Sequence, residues 1–586
     1  MKNFFKIVFG TFIGSFLALV LAFFILIGII SSLATFSDTK PTVPKSAVLT
    51  LNFATRISEQ AIDDPFASMN PLQSTSSKTQ GILDFLQTID KAASDPAIKI
   101  LYMNVTDMKA GISHIEEIRS AITRFRESGK PVIAYADNFS QPAYYLATAA
   151  DKIYLNPAGM APLSGLSISS LFFKDLLDKV GVEVQLIRHG KFKAAAEQFI
   201  SNKMSPENRE QLKAYIDAIW LTWVQEISAA REISVDNINR MTDNLEITTA
   251  QKALEANLVD GLMYKDELSE YITKLFGVED EKDLKMISST AYSAATKKVD
   301  FKEKNKIAVI YADGEIIMGK SDNNIASDSF IEHISKVRKD STVKAVVLRI
   351  NSPGGSAQSS EVINRELNLL KEDKPLIVSM GDYAASGGYW IAAKADRIFT
   401  NNTTLTGSIG VFSMVPNIQK AMKNHLLINP ETVNTHKHSD IMSGYRSLDN
   451  NEIEFFRSVV EKTYTDFINL VAEGREMEYQ QVDEIAQGRV WSGLDAVRIK
   501  LADERGGLTE AILSAAQLAS VESYRIVEFP VQKTALDRLM DILTEGTKAA
   551  KTISDPAMLM EKAYESLKEE SQVKYMARLP YNIYFN

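Results

Sequence analysis

The rhythm of apolar and polar positions divides this chain into segments of different kinds. From Ile7 to Phe36 there is no charged residue, and the run is longer than the roughly 20 residues that cross a bilayer core. Lys2 and Lys6 precede it, which predicts an uncleaved single-pass anchor with its short leading end in the cytoplasm and the bulk of the chain outside. Ser32-Leu33-Ala34 resembles a leader cleavage site, but the apolar run exceeds the about 7 to 15 residues usual for a cleaved leader. Past a polar linker, SDTKPTVPK, short Val/Ile/Leu runs alternate with amphipathic stretches, as in AVVLRI, SSEVINRELNLLKED and KPLIVSM. Strands apolar on both faces, separated by helices, predict an α/β fold with a buried sheet. Beyond about Thr534, LDRLMDILTEGTKAAKTI and MLMEKAYESLKEE predict a helical tail.

The alternation is written twice. KSAVLTLNF (45–53) matches KIAVIYADG (306–314), AIKILYMNV (97–105) matches TVKAVVLRI (342–350), and TTAQKALEANLVDGL (248–262) matches WSGLDAVRIKLADER (491–505). KPVIAYADNFSQPAYYLATAADKIYLNP likewise lies opposite KPLIVSMGDYAASGGYWIAAKADRIFTNN. Matching blocks in one order, at offsets of 243 to 245 over most of their length, mark a duplicated domain. The expected organisation is a stub and anchor at 1–36, a first copy at 37–300, a second at 301–534 and the tail at 535–586.

Composition narrows the chemistry. With 45% hydrophobic residues the chain is a folded protein, and a net charge of -9 argues against nucleic acid as a partner. The absence of cysteine excludes disulfides, thiol catalysis and cysteine-ligated zinc.

In GDYAASGGYW (381–390) Ser386 stands where an apolar strand turns into a helix. A serine there is most often a helix cap. Small neighbours nevertheless let a substrate approach the backbone, and free N–H groups at a helix start favour negative charge developing beside the serine. NSPGGS (351–356), after strand AVVLRI, supplies a second glycine turn whose N–H groups can face a ligand.

The order of strand, NSPGG, amphipathic helix, strand, AASGG, helix, strand and TLTGSIG resembles the signal peptide peptidase A (protease IV) family, in its long, duplicated bacterial form within the ClpP/crotonase fold group. The resemblance implies tandem ClpP/crotonase-like domains, Ser386 as nucleophile, a lysine as base, and the N–H groups of Gly387 and Gly355 as oxyanion donors. It further implies a homo-oligomer, a tetramer in the family, at the bacterial inner membrane with its domains on the periplasmic side.

Histidine is the commonest general base, but His114, His189, His333, His425, His436 and His438 lie in no triad motif. His436 and His438 form an HxH without a third ligand at telling spacing, as a solvated loop would. Lysine serves when burial or positive charge keeps its amine neutral. In VEVQLIRHGKFKAAAEQF a strand runs through a glycine turn toward a helix, and Lys193 stands at the expected helix start, where the dipole would lower its pKa. The residues alone equally allow an exposed Lys193 paired with Glu197. The family motif G-x-[YF]-K-[SA]-A selects Lys193 over Lys191. The resemblance also places Ser408, in TLTGSIG, beside the lysine amine, although the residue would serve equally as a turn former.

The copies are complementary. Opposite Ser386 the first copy has Gln141 followed by Pro142, and opposite NSPGG it reads TDMKAG; the second copy has VNTHKHSD around the place of the lysine turn. A site built from both must form between domains, within one chain or between chains. GEIIMGKS (314–321) matches a phosphate-binding loop formally, but its Ile-Ile-Met centre favours a strand and no helix follows at once. The expectation is a membrane-anchored serine endopeptidase acting on cleaved signal peptides and other short apolar or unfolded peptides. No metal or cofactor is called for. A crotonase-like acyl-CoA enzyme and an inactive scaffold are the rival readings.

Overall fold

The computed structural model describes residues 9–18, 20–21, 41–61, 79–297, 302–321, 323–532 and, for the backbone, 575–578. Most of the expected anchor lies outside these residues. Within it, 9–18 and 20–21 are helical with Phe9, Phe12, Phe16 and Leu17 exposed. Among the described residues no helix is long and apolar enough to cross a membrane.

The first copy contributes strand β1 (Ala47–Asn52), helix α1 (Ile82–Ser94), β2 (Ile98–Asn104), α2 (Ile112–Glu127), β3 (Val132–Ala136), α3 (Gln141–Ala147) and β4 (Lys152–Leu155). It continues through β5 (Glu183–Arg188), α4 (Pro206–Arg231), β6 (Gly261–Leu262) and β7 (Met286–Ser288). Its sheet runs β6-β4-β3-β2-β1-β7 and is parallel throughout. Helix α1 shows why the pattern was readable: Ile82, Leu83, Phe85, Leu86, Ile89 and Ala92 are buried, a stripe at helical spacing.

The second copy repeats the plan with β8 (Lys306–Asp313), β9 (Ile316–Ile317), α5 (Ser327–Lys339), β10 (Val343–Ser352), β11 (Gly354–Ser356), α6 (Ala357–Asp373), β12 (Leu376–Ala385), α7 (Gly387–Trp390) and β13 (Arg397–Thr400). Then come β14 (Leu405–Gly407), β15 (Phe412–Asn417), α8 (Asn450–Gly474), β16 (Val490–Ser492), β17 (Glu504–Arg505) and β18 (Arg525–Phe529). The order β17-β13-β12-β10-β8-β18 reproduces that of the first sheet. Here β12 is longer, and its last residues pair with β14, Ala385 against Gly407. That added pairing brings the TLTGSIG turn to Ser386.

The copies are fused rather than merely linked. One buried apolar cluster draws Ile89, Phe125 and Tyr145 from the first and Val309, Val347 and Ile512 from the second. Beside it Arg349 of β10, wholly buried, donates through Nε to Glu59 at 2.7 Å and lies 2.8 Å through Nη1 from Glu117. His114 Nε2 lies 2.9 Å from Glu59, and Glu117 also accepts from Asn401 Nδ2 and the Leu508 N–H. Burial opposes ionisation of Glu59, but Arg349 and His114 win and hold it down to about 2. Asp382, within GDYAAS, accepts from the N–H and hydroxyl of Ser113 near the start of α2.

The two α/β copies are the expected duplication, with one departure in detail. The tail, where described, is a strand, β19 (Tyr575–Arg578), not a helix; the expected tail helices lie outside the described residues. In GEIIMGKS, Ile316 and Ile317 form β9 and Lys320 pairs with Glu332 at 2.8 Å, a strand and a surface ion pair.

Candidate active site

Ser386 sits at the N-terminus of α7 without acting as its side-chain cap. Its backbone is at φ 56° and ψ -116°, a region that non-glycine residues rarely occupy and that requires support from the surroundings. That support comes from Ser386 N–H donating to the Gly407 carbonyl at 2.8 Å and from close packing behind it. A Cβ on Gly388 would stand 2.7 Å from the Ser352 carbonyl oxygen, so only glycine lets α7 approach that strand. The hydroxyl is therefore left free of capping duty and turned toward the neighbouring copy.

Lys193 meets it there. Strand β5 of the first copy leaves its own sheet and pairs antiparallel with β15 of the second, from Arg188 opposite Phe412 to Glu183 opposite Asn417. The chain then turns at Gly190 (φ 91°) and is held by several bonds to the second copy. Phe192 N–H donates to the Gln487 carbonyl at 3.0 Å, and Arg489 lies over the Phe192 ring. Gln211 of α4 donates to the Phe192 carbonyl and accepts from Val490 N–H. Arg188 donates to the Lys193 carbonyl at 2.8 Å.

The amine of Lys193 lies 2.7 Å from Ser386 Oγ and donates to both the carbonyl and the hydroxyl of Ser408 at 3.0 Å. Lys193 and Ser386 are fully buried and Ser408 nearly so. Lys193 and Ser386 of one chain therefore meet without a second chain. Burial brings the Lys193 pKa down to about 7, and among the described residues no carboxylate bonds to the amine to restore it.

The expected helix dipole is not the cause. The helix after Lys193 spans only Glu197–Ile200, with Ala196 at φ 67° before it. Glu197 accepts from Ser205 N–H and Asn208 Nδ2, so it is no partner for Lys193.

Gly387 is the first residue of α7, where an N–H has no acceptor within the helix. Gly355 lies in β11, and a Cβ there would stand 2.0 Å from the Ile316 carbonyl oxygen. Strand β11 packs against α7, so both glycine turns border Ser386. In the first copy Gln141 is consumed by structure: its Nε2 donates to the Gly165 carbonyl while its Oε1 accepts from Ser164 and Gly165 N–H.

Two residues that sequence reading missed shape the lysine's channel. A Cβ on Gly488 would lie 2.5 Å from Lys193 Cβ and 2.6 Å from its Cα, and one on Gly410 would lie 3.3 Å from Lys193 Cδ. Gly488 has no counterpart motif that singles it out; only the docked first copy makes it special. Gly488→Ala is expected to lower kcat about 100-fold, because displacing a reacting group by ~1 Å costs that much, while the circular dichroism spectrum is unchanged.

The histidines stand elsewhere. His114 is in the interdomain ion cluster, and His189 stacks on Tyr464 and pairs with Glu461. His438, rather than the HxH pair, comes together with Asp449 and Glu452. Glu452 there is already bound by Arg446 and caps α8 reciprocally with Asp449. A cavity of about 1070 Å³ beside β11 is lined by residues that include Ile316, Met318, Ser356 and Trp390, but not by Ser386 or Lys193.

The two halves of this arrangement coincide with the comparisons. The model of Peptidase family S49 matches residues 124–279 and again 368–522, once in each copy. "Protease 4" of Haemophilus influenzae is 37% identical over 451 residues, covering 75% of this chain and 73% of that protein. "Protease 4" of Salmonella typhi is 36% identical over 504 residues, with coverages of 84% and 80%. "Serine protease SPPA, chloroplastic" of Arabidopsis thaliana is 32% identical over 509 residues, with coverages of 85% and 73%. A solved structure of ClpP1 from Listeria monocytogenes overlaps 34% of this chain at 18% identity with a TM-score of 0.21, too little to bear on the fold. With the family model matching both copies and relatives aligned along most of its length, the chain belongs to peptidase family S49 and is a serine protease.

Proposed function

We propose that Ser386 and Lys193 are the nucleophile and general base of this protease, a dyad shared between the two copies. The observation that carries the reading is the 2.7 Å contact between two fully buried groups on different copies. When the amine is neutral, its two protons go to the carbonyl and hydroxyl of Ser408, and its lone pair faces the Ser386 hydroxyl, which then donates to it. Ser408 is thus the orienting residue. Ser386 Oγ attacks the peptide carbonyl as its proton passes to Lys193. The N–H groups of Gly387 and Gly355 receive the oxyanion, and Lys193 returns the proton to the leaving amine. Water, activated by the same amine, then releases the acyl group.

The substrates proposed are cleaved signal peptides and other short apolar or unfolded segments. Such chains bind by backbone pairing along β11 and β15 with little demand on sequence. The uncharged run 7–36 would hold the enzyme at the inner membrane, with both copies on the outer side, where these substrates arise. A ClpP/crotonase-like ancestry for each copy and assembly into a tetramer belong to the same proposal.

A serine-directed phosphonofluoridate tests the dyad. Labelling is expected on Ser386, rising about tenfold per pH unit up to pH about 7 and level above it. This is the course of an amine that must lose its proton to act. Labelling that is independent of pH between 5 and 8, or that falls on another serine, would sink the assignment.

A further inference from the structure

The chain from Asp382 to Ser408 carries both serines of the site, and one helix of the other copy holds it at two points. At the first, Asp382 lies four residues before Ser386 and accepts from the Ser113 N–H and hydroxyl at the start of α2, both at 2.8 Å. A Cβ on Gly111 would stand 1.8 Å from that carboxylate, so only glycine lets the helix close on it. At the second, one turn further along α2, Glu116 reaches the loop between β13 and β14. Its Oε1 accepts from the Asn402 N–H at 2.9 Å, and its Oε2 from the Thr403 N–H at 3.1 Å and the Thr403 hydroxyl at 2.9 Å. Tyr215 of α4 donates to the Thr403 carbonyl at 3.0 Å. From there the chain runs through β14 to Gly407, whose carbonyl takes the Ser386 N–H, and to Ser408, which takes two bonds from Lys193.

The first copy shows what Glu116 replaces. There PLSG (162–165) stands where the second copy has TLTG (404–407). Gln141, in the place of the nucleophile, ties that turn through Ser164 and Gly165 with its own side chain. Ser386 cannot do the same, because a reacting hydroxyl must stay free of the turn beside it. The turn needs another anchor, and α2 supplies one from across the interface.

We propose that Glu116 is a positioning residue for hydrolysis: by fixing the loop before β14 to the first copy it sets the place of Ser408, and through Ser408 the aim of the Lys193 amine at Ser386. The inference rests on the dyad proposed above. An amine on a long side chain reacts only where its acceptors hold it, and a shift of ~1 Å costs about 100-fold. Substrate pairs along β11 and β15, whereas the bonds of Glu116 go to Asn402 and Thr403. The loss therefore falls on kcat rather than KM.

Steady-state hydrolysis of an apolar peptide by the full chain in detergent is the test. Glu116→Ala is expected to lower kcat about 30-fold with KM within about twofold of wild type. Glu116→Gln should stay within about threefold, because one amide oxygen keeps both bonds from Thr403, while Glu116→Asp, shorter by a methylene, should resemble Glu116→Ala. Arg124→Met breaks a different contact of α2 with the second copy, to Glu510 at 3.4 Å, and should keep the wild-type kcat. Equal losses in Glu116→Ala and Arg124→Met would show that α2 only holds the copies together, and would overturn the proposal. So would a wild-type kcat in Glu116→Ala, or a Glu116→Gln as slow as Glu116→Ala. Where Glu116→Ala does not fold, Thr403→Val removes the hydroxyl bond from the other side: a kcat about fivefold lower at unchanged KM is expected, and an unchanged kcat overturns the proposal. Ser386→Ala, measured in parallel, separates the two readings. If it is inactive while Glu116→Ala keeps its kcat, this inference falls alone; if it is active, the dyad and this inference fall together.

Discussion

Ser386→Ala is expected to lower kcat by about 10⁴- to 10⁶-fold, and Lys193→Met by a similar factor, with the double variant no worse than either single one. In the proposed dyad the two groups act as one unit, and removing either member of such a unit costs nearly what removing both does. Steady-state hydrolysis of an apolar peptide gives the measurement, and additive losses would show that the residues act independently. Stability separates this effect from misfolding. The Lys193 pKa of about 7 lies below the ordinary 10.5, so between those values the unfolded chain holds a proton that the folded chain lacks. Wild type therefore gains stability as pH rises through that window. Lys193→Met lacks this dependence and is at least as stable as wild type below pH about 7, because a buried cation has been removed. Denaturant unfolding at pH 6 and 9 reads the difference.

The second large effect concerns a residue that touches no reacting atom. Arg349→Met is expected to destabilise the protein by about 3–5 kcal/mol, because Glu59 and Glu117 are left buried with their principal counter-charge gone. Activity should fall with it, since Lys193 and Ser386 meet only while the copies stay docked. Adding Glu59→Gln to Arg349→Met should recover part of the stability, because one of the stranded charges is removed. Urea midpoints of the two variants check this; a double variant less stable than Arg349→Met would mean that Glu59 is not the source of the cost.

Much of this site was legible in the sequence for physical reasons. Parallel strands buried on both faces write themselves as apolar runs, so the duplicated alternation of strands and helices could be read from the sequence. Ser386 was marked by the small residues that permit its tight turn. An arginine in the apolar run AVVLRI was a further signal, since a charge in a buried strand needs a partner, but its partners were unreadable because Glu59 and Glu117 come from the other copy. The surroundings of Lys193 were misread locally. KFKAAAEQF has the composition of a helix, yet Arg188 takes the Lys193 carbonyl and Glu197 is drawn to Ser205 and Asn208. Those tertiary bonds outweigh the alanines' propensity. Nor does the pattern of VEVQLIR reveal that β5 would complete a sheet in the second copy, since a strand's edge does not name its partner.

The division of labour between the copies also sets a timetable. A chain emerging from its N-terminus exposes residue 193 long before residue 386, so a half-made molecule carries an amine with no alcohol to deprotonate. On the proposed dyad, hydrolysis begins only when the later half has folded and received β5 along its edge. With that dyad, a newly synthesised molecule is harmless to its neighbours until it is finished.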